Sequence, residues 1–386
     1  MKLNRWVVLA VLFAARTSMG FQFQSVASVS PLLMNDLAID FALLGALIGV
    51  WMLPGVAVAI PGGLLGRRFG DKNVVVAGLA LMALGSFVTA AAQSYAPAMA
   101  GRVISGAGAV MLNVLLAKMV ADWFHGGGLA SAMSVLVTSW PFGIGLALLV
   151  LGPLSTATTW AFAIQVTAWV CIAALAAVAL AYRTPPAQEK RSVAAAPMGR
   201  RDFSLACVAG VVWAFYNVGY IIVVSFVPVL LAARGLTAAN AAVIASFASW
   251  PLMLSVPLGG YLADRTGRGY AIMIGSLIAM AATMPFMLAA PSPLAMLVVF
   301  GVIGGLPGGI IAALPGRALA PTARHLGLGI FFTLYYVGMA LLPGLAGWFR
   351  DRFAEDAAPL LFGSALLIVA ALLVALFRRM ETWRSA

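Results

Sequence analysis

The sequence is poor in charged residues, and acidic residues are missing from the middle of every long apolar stretch. Asp, Glu, Lys and Arg together make up 9% of the 386 residues, whereas hydrophobic residues make up 63%. An average soluble domain carries about 25% charged residues. The mean hydropathy of +1.05 therefore indicates a polytopic membrane protein.

Cysteine and histidine are also scarce, with two residues of each. Cys171 and Cys207 fall within apolar stretches, where neither a disulfide framework nor a thiolate metal site is expected. His125 and His325 lie in or beside loops and have no ligand partners at metal spacing. The sequence also lacks a carboxylate pair, a nucleophile–base set and a phosphate-binding loop. We expect no enzyme and no bound cofactor or metal.

Long apolar stretches dominate what is present. A helix needs roughly 20 apolar residues to cross the hydrocarbon of a bilayer, and twelve segments meet that requirement. These predicted spans cover residues 6–30, 42–65, 74–94, 97–121, 129–153, 158–182, 203–231, 240–262, 270–290, 294–316, 326–348 and 359–380. The predicted fold class is an all-α polytopic membrane protein with twelve transmembrane helices.

The net charge of +12 is distributed by membrane side rather than gathered into one patch, so a nucleic-acid partner is not expected. If the N-terminus is cytoplasmic, 18 of the 23 Lys and Arg residues lie at inner ends and loops, three lie in outer loops, and two lie inside spans. This asymmetry follows the positive-inside rule. It predicts a multi-pass protein of the cytoplasmic (inner) membrane with both termini in the cytoplasm.

The chain repeats itself at a distance of 197 residues. The shift aligns residues that bend helices or form turns, namely Ser28 with Ser225, Pro31 with Pro228, Pro54 with Pro251, Gly62 and Gly63 with Gly259 and Gly260, and Gly70 with Gly267. The polar stretch at 183–202 divides the copies. We therefore predict six-helix bundles at 1–182 and 203–386 joined by a cytoplasmic linker, and transporters built in this way hold substrate between the bundles.

Two loops related by this repeat carry opposite charges at matching positions. Residues 260–268 read GYLADRTGR, with Asp264, Arg265 and Arg268, whereas residues 63–72 read GLLGRRFGDK. In the earlier loop Arg67 replaces the acidic residue and Asp71 the later basic one. Either loop can therefore hold an opposite-charge pair across a tight turn.

The later loop resembles the G-x-L-x-D-R-x-G-R loop of the major facilitator superfamily. The fourth span adds Arg102 and Gly106 in RVISGAG, which is similar to that superfamily's R-x-x-x-G-x-G pattern. With twelve spans and the repeat, the resemblance covers essentially the whole chain. It implies two six-helix bundles around a central cavity that opens alternately to each side. A looser likeness to the cyanate and nitrate/nitrite porter branches rests on Pro-Leu-Leu at 31–33 and on the non-acidic loop.

The resemblance also implies gating or conformational roles for the loop residues and for the motif in the fourth span. These candidates are Arg67, Arg68, Asp71, Arg102, Gly106, Asp264, Arg265 and Arg268. A charge latch between helix ends is one interpretation of the loops, and a plain role in setting topology is the other. Arg102 is either structural or gating, or it contacts the ligand directly.

Arg16 lies about ten residues into the first span, which places it about 15 Å deep at a rise of 1.5 Å per residue. A charge near the bilayer centre costs about 2.5–3.5 kcal/mol on insertion scales and usually marks function. Gly20 and Gln24 share its broad helical face, which we predict lines the cavity. The alternative is that Arg16 bonds helix carbonyls and only ties helices together.

Further binding candidates come from the fourth, seventh and eleventh spans. Asn113 is an amide near mid-depth, which needs partners. The repeat mate of Arg16 is Trp213, and the same helix carries Tyr216, Asn217 and Tyr220, while the eleventh span carries Tyr335 and Tyr336. We predict that this set gives an anionic head group a guanidinium and an organic body aromatic walls. Core packing is the simpler interpretation of each aromatic residue.

These features predict a secondary active or facilitative transporter for a small anion, inorganic or monocarboxylate, working as a monomer in the lipid bilayer. The alternative is an efflux transporter of multiple drugs or neutral solutes in which Arg16 is structural. None of the acidic residues lies at mid-depth. Exchange, uniport, or co-transport with a proton carried on the anion is therefore favoured over an acidic proton relay.

Overall fold

The structure is a computed structural model that describes residues 4–58, 66, 68–124, 128–184, 198–320 and 323–382. Across these ranges every regular element is a helix. Eleven helices are long and apolar enough to cross a membrane, and a twelfth span is counted if the helices Ser30–Leu37 and Phe41–Ala57, bent by 115°, form one span. The prediction of an all-α polytopic membrane protein is confirmed.

The helices match the predicted spans to within a few residues at most ends. In the first half they are Arg5–Ser28, the short helix Ser30–Leu37, Phe41–Gly49 continuing through Val50–Met52 and Pro54–Val58, Asp71–Ala90, Tyr95–Trp123, Leu129–Ala157 and Trp160–Ala181. In the second half they are Arg200–Ala233, Ala238–Ser246, Trp250–Thr266, Gly269–Thr283 with Met284–Phe286, Pro293–Gly305, Gly308–Ala318, Arg324–Phe353 and Ala358–Thr382. The second predicted span and the 183–202 linker extend beyond the described residues.

Two spans of the second half are interrupted next to prolines. The eighth span breaks between Ala238–Ser246 and Trp250–Thr266, and the tenth breaks between Pro293–Gly305 and Gly308–Ala318, where Pro307 stands in the gap. Proline lacks a backbone N–H and clashes with the preceding turn, so it interrupts a helix. The tenth span is thus bent at its run of glycines and Pro307.

Alternating helix directions give the molecule two ends. We call the end that carries Asn4, Tyr182, Gly199 and Thr382 the terminal end, and the opposite end the distal end. The first, third and fifth connections and their counterparts in the second half lie at the distal end, whereas the two charged loops lie at the terminal end.

The two halves pack backbone to backbone near the distal end. A β-carbon on Gly45 of the second span would lie 2.1 Å from the Pro343 carbonyl oxygen of the eleventh span, and one on Gly347 would lie 1.9 Å from the Phe41 carbonyl oxygen. Only glycine permits such an approach. The second and eleventh spans are therefore held in close contact at this end.

Polar and ring contacts reinforce the closure at the distal end. Asp351 accepts hydrogen bonds from the backbone amides of Phe41 at 3.3 Å and Ala42 at 2.7 Å. The Arg350 guanidinium lies 4.4 Å from the Phe41 ring centroid. Asp351 thus places a carboxylate at the N-terminus of a helix from the other half, where the helix dipole stabilises negative charge.

Candidate functional site

Arg16 is a cation without a partner in the interior of the molecule. Its side chain is partly exposed, and its Nε atom is buried with no hydrogen-bond acceptor. Among the described residues, no hydrogen bond or ion pair is found for any Arg16 atom. The hydroxyl of Thr17, the next residue, is also buried without a partner. The structure therefore leaves this guanidinium free to bind a ligand.

Aromatic residues of the eleventh span face Arg16 from the other half. Tyr335 and Tyr336 lie within electrostatic range of its guanidinium. The Tyr336 hydroxyl accepts a hydrogen bond from Asn113 Nδ2 at 3.1 Å, which links the fourth and eleventh spans across the two halves. The Tyr335 ring centroid lies 6.1 Å from that of Trp213. We call Arg16, Asn113, Trp213, Tyr335 and Tyr336 the central site.

Trp213 is packed within an aromatic group of the second half. Its ring is stacked on Phe331 at 6.1 Å with an interplanar angle of 22°, and it contacts Tyr216 at 5.6 Å. The Trp213 side chain remains partly exposed. Trp213 therefore keeps some accessible surface although three rings of its own half pack against it.

The other candidates on the seventh span direct their polar groups into their own half. The Tyr216 hydroxyl donates to the Gly304 carbonyl at 2.8 Å, and Asn217 Nδ2 donates to the Trp213 carbonyl at 2.8 Å. The Tyr220 hydroxyl is paired with Ser249 Oγ at 2.7 Å. The structure therefore places Tyr216 beside the central site. The polar groups of Tyr216, Asn217 and Tyr220 are, however, already hydrogen-bonded to protein groups.

Gly20 and Gln24 lie on the Arg16 helix but outside the central site. A β-carbon on Gly20 would lie 2.5 Å from the Trp140 carbonyl oxygen, so this glycine forms a close crossing with the fifth span of the same half. Gln24 is buried and donates to the Val224 carbonyl at 2.7 Å, on the distal side of the centre. The helical face that periodicity assigned to the cavity therefore contacts three different helices. Arg16 faces the eleventh span, Gly20 packs on the fifth, and Gln24 bonds to the seventh.

Arg102 has surroundings opposite to those of Arg16. It is 2% exposed, and its guanidinium donates to the carbonyls of Gln22, Phe23 and Leu47 at 3.0–3.1 Å. A β-carbon on Gly106, one turn later, would lie 1.9 Å from the Trp51 carbonyl oxygen. Arg102 and Gly106 therefore join the fourth span to the first and second spans within one half.

A buried polar network around Gln22 was not predicted from the sequence. Gln22 Nε2 donates to the Met82 carbonyl and to Ser86 Oγ, both at 2.6 Å, and Ser86 is paired with Thr167 at 2.8 Å. Gln22 Oε1 accepts from Trp51 Nε1 at 3.3 Å. Polar residues at similar depths in four spans are the signal that could have found it.

Each charged loop at the terminal end pairs with a cation at the end of another span of its own half. Asp71 pairs with Lys118 at the end of the fourth span, and Asp264 pairs with Arg317 at the end of the tenth span at 3.4 Å. Asp264 was expected to pair with Arg268 across the turn. Gly267 adopts a left-handed conformation at φ 65°, which reverses the chain, so Asp264 and Arg268 no longer share a helical face.

The remaining loop candidates make local contacts or lie outside the described residues. Arg265 donates to the Tyr261 hydroxyl at 2.7 Å, and the Arg68 guanidinium lies 5.3 Å from the Phe69 ring centroid. Arg67 lies outside the described residues. The pair between Arg67 and Asp71 therefore stays a prediction. Asp71 forms an ion pair with Lys118.

A family model described as Major Facilitator Superfamily matches residues 12–343 and, again, residues 208–386. The inner membrane transport protein YajR of Escherichia coli is 34% identical over 138 residues, which is 34% of this chain and 30% of that protein. An uncharacterized MFS-type transporter of Mycobacterium tuberculosis is 31% identical over 128 residues, which is 31% of this chain and 28% of that protein. These alignments span less than a third of the relatives' own length.

Solved structures match over almost the whole chain. A bacterial homolog to the human lysosomal transporter Spinster, in an inward-facing and occupied conformation, gives a TM-score of 0.76 at 17% identity, covering 98% of both chains. A D-xylose-proton symporter gives 0.75 at 14% identity, covering 96% of this chain and 97% of that chain. At these identities the likeness shows the fold alone, which is the two-bundle fold that the sequence motifs implied.

Proposed function

This chain belongs to the major facilitator superfamily, and we propose that it is a membrane transporter whose substrate is a small anion, inorganic or monocarboxylate, carried by alternating access. The observation that carries this proposal is the unpartnered guanidinium of Arg16 between the two halves. An uncompensated charge away from bulk water is costly. A bound anionic substrate would supply the negative charge that offsets the positive charge of Arg16.

The contrast with Arg102 supports a ligand-binding role for Arg16. Arg102 meets four backbone carbonyl oxygens within 3.5 Å, so its burial is offset by the protein itself. Arg16 has neither carbonyl nor carboxylate partners among the described residues. A guanidinium presents a planar set of donors that matches a carboxylate or a planar oxyanion.

The contacts between the halves support an alternating-access cycle. Hydrogen bonds join the halves at the distal end through Asp351, on the distal side of the centre through Gln24, and at mid-depth through Asn113. The pairs described at the terminal end, Asp71 with Lys118 and Asp264 with Arg317, each stay within one half. With the terminal end in the cytoplasm, as the positive-inside rule indicates, this arrangement corresponds to an inward-facing conformation.

A second candidate is transport of neutral or multiple apolar solutes, with Arg16 structural. The aromatic residues around Trp213 favour it, because rings bind apolar bodies without regard to charge. A D-xylose-proton symporter and the nucleoside transporter NupG share the fold. The charge of the substrate separates the two candidates.

The test is uptake by the purified protein in liposomes, with nitrate, acetate and benzoate as anions and xylose as the neutral solute. For an anion that is transported, Arg16→Gln should abolish uptake and Arg16→Lys should weaken it. Losing a charge-assisted hydrogen bond to a buried ligand costs on the order of 2–3 kcal/mol, or roughly 30–150-fold in affinity. Arg352→Gln makes the same chemical change at an exposed position and should leave uptake unchanged.

Folding of each variant is judged by monodispersity in detergent. Transport or binding of the same anion by a folded Arg16→Gln protein at the parental level would overturn the anion proposal. Uptake of xylose alone, insensitive to Arg16, would favour the neutral-solute alternative instead.

A further inference from the structure

The charge available at the central site is a single positive one. Arg16 is unpartnered, whereas the other cation inside the spans, Arg102, is surrounded by carbonyl oxygens and is 2% exposed. A dianion bound at Arg16 would keep one uncompensated charge away from water, which is costly. The site is therefore matched to a monoanion.

Two hydroxyl groups extend the binding capacity of Arg16. Tyr336 Oη accepts from Asn113 at 3.1 Å, so its own proton points elsewhere, and the described residues offer that proton no acceptor. The Tyr335 hydroxyl likewise has no hydrogen bond to any described residue. Both rings lie within electrostatic range of Arg16. One guanidinium and two O–H donors together can satisfy the two oxygens of a carboxylate.

Beyond these donors the site becomes apolar. The Trp213 ring lies 6.1 Å from Tyr335 and is backed by Phe331. On the same helix, Tyr216 and Tyr220 direct their hydroxyls to Gly304 and Ser249 within their own half. We call Trp213, Phe331 and Tyr335 the aromatic wall. Apart from the Tyr335 hydroxyl and the Trp213 indole N–H, the aromatic wall offers ring surface to the part of the ligand that lies away from Arg16.

We infer that the substrate is an organic monocarboxylate with a flat apolar body, its carboxylate held by Arg16, Tyr335 and Tyr336 and its body lying against Trp213. This inference rests on the proposed anion transport and narrows it. It excludes inorganic anions, dicarboxylates and neutral aromatic solutes as preferred substrates. The binding free energy becomes more favourable as the ring surface buries more of an apolar body. A planar body adds favourable stacking or edge contacts with the aromatic rings.

Binding is measured by titration calorimetry on the purified protein in detergent. The probes are benzoate, acetate, nitrate, the dianion phthalate and the neutral amide benzamide. Benzoate should bind about 10-fold or more tightly than acetate, because burying a phenyl-sized group corresponds to roughly that factor or more. Phthalate and benzamide should each bind more weakly than benzoate.

Variants assign each part of the site separately. Tyr335→Phe should weaken acetate and benzoate by the same factor of roughly 10, the effect of losing one hydrogen bond to a charged group. Trp213→Ala should reduce the ratio of benzoate to acetate affinity. Trp169→Ala removes an indole that is 59% exposed on the sixth span and should leave the ratio intact. Because the ratio comes from one preparation, it does not depend on the folded fraction.

The outcomes separate this inference from the proposed function. If nitrate or acetate binds as tightly as benzoate, and Arg16→Gln abolishes that binding, the inference fails and anion transport stands. If benzamide binds as tightly as benzoate and Arg16→Gln changes neither, both fail. An unchanged benzoate-to-acetate ratio in Trp213→Ala also overturns the inference, because the aromatic wall would then not contact the body.

Discussion

At the scale of single residues, two arginines within the same bundle are put to opposite uses. Arg102 is enclosed by carbonyl oxygens of the first and second spans, so its charge is neutralised by backbone dipoles and it ties helices together. Arg16 lies between the halves and lacks protein partners. The carbonyl oxygens therefore offset much of the free-energy cost of burying the Arg102 charge. No protein group among the described residues offsets the charge of Arg16, so a ligand can do so.

This division predicts different effects of the same conservative substitution. Arg102→Lys keeps the charge but cannot reach carbonyls on both neighbouring spans from one nitrogen, so it should lower the stability by about 2–3 kcal/mol. Arg16→Lys breaks no protein hydrogen bond and should leave the thermal unfolding midpoint near that of the parent. The measurement is the unfolding midpoint of both variants without ligand. Equal midpoints would contradict the structural role of Arg102.

Periodicity alone predicted some of the central site and missed the rest for identifiable reasons. Arg16 and Asn113 were predicted because charged and polar groups at mid-depth need partners, and Tyr336 was predicted as an aromatic residue of the eleventh span. The structure places these three residues close together. Gly20 was assigned to the same face, but a helical wheel does not tell which neighbour each part of a face meets. Gln22 was not among the predicted residues, because its hydrogen bonds depend on packing between four helices. Such contacts are not encoded in one helix.

At the scale of elements, the two charged loops form pairs at equivalent places with different residues. Asp71 begins the third span and pairs with the end of the fourth, while Asp264 ends the eighth span and pairs with the end of the tenth. The fourth and tenth spans are repeat mates. Lys118 and Arg317 are therefore the cations at the ends of the fourth and tenth spans that pair with the loop carboxylates. Each half has one such pair, although the charges in the first loop are reversed.

The pair of Asp71 with Lys118 should be stronger than its counterpart, because the Asp71 side chain is 8% exposed and the Asp264 side chain is 76% exposed. Exposed pairs contribute about 0–1 kcal/mol. Asp71→Asn and Lys118→Gln should each slow transport, and the double variant should lose less than the sum. The same cycle on Asp264 and Arg317 serves as the exposed control. Additive losses at Asp71 and Lys118 would show that they are not coupled.

The positions of the membrane spans could be predicted from the sequence. The positions at which a span is interrupted or bent could be predicted only in part. Hydropathy located the helices because every backbone group in a bilayer must be bonded internally, which favours uninterrupted apolar helices. The repeat aligns Pro31 with Pro228, yet Pro31 lies at the start of the separate helix Ser30–Leu37 while Pro228 remains inside Arg200–Ala233. Whether a proline ends or only bends a helix depends on the neighbours that satisfy the freed carbonyl.

At the scale of the whole molecule, the contacts between the halves are concentrated on one side of the central site. Gly45 and Gly347 allow the second and eleventh spans to touch at the distal end, and Asp351 caps the second span from across the interface. The described ion pairs at the terminal end lie within single halves. Closure at one end with independent charge pairs at the other is the geometry that a rocking motion of the two bundles requires.

The direction of this opening is set by the orientation of the chain. The sequence assigns 18 Lys and Arg residues to the predicted inner ends and loops and three to the outer loops, so we predict that the terminal end is cytoplasmic. Ser292 is exposed in the distal connection between the ninth and tenth spans, and Ser192 belongs to the linker. In intact cells, a membrane-impermeant maleimide should label the Ser292→Cys variant and spare the Ser192→Cys variant.

The background for both variants is the protein with Cys171→Ala and Cys207→Ala, since these are its two cysteines. Cys171 is buried and Cys207 lies within a span, so their removal should change little in labelling and provides the blank. After the cells are permeabilised, the Ser192→Cys variant should react, which shows that its thiol is accessible once the reagent enters. Labelling of Ser192→Cys but not Ser292→Cys in intact cells would place the terminal end outside. The closed distal end would then face the cytoplasm, and the conformation would be outward-facing.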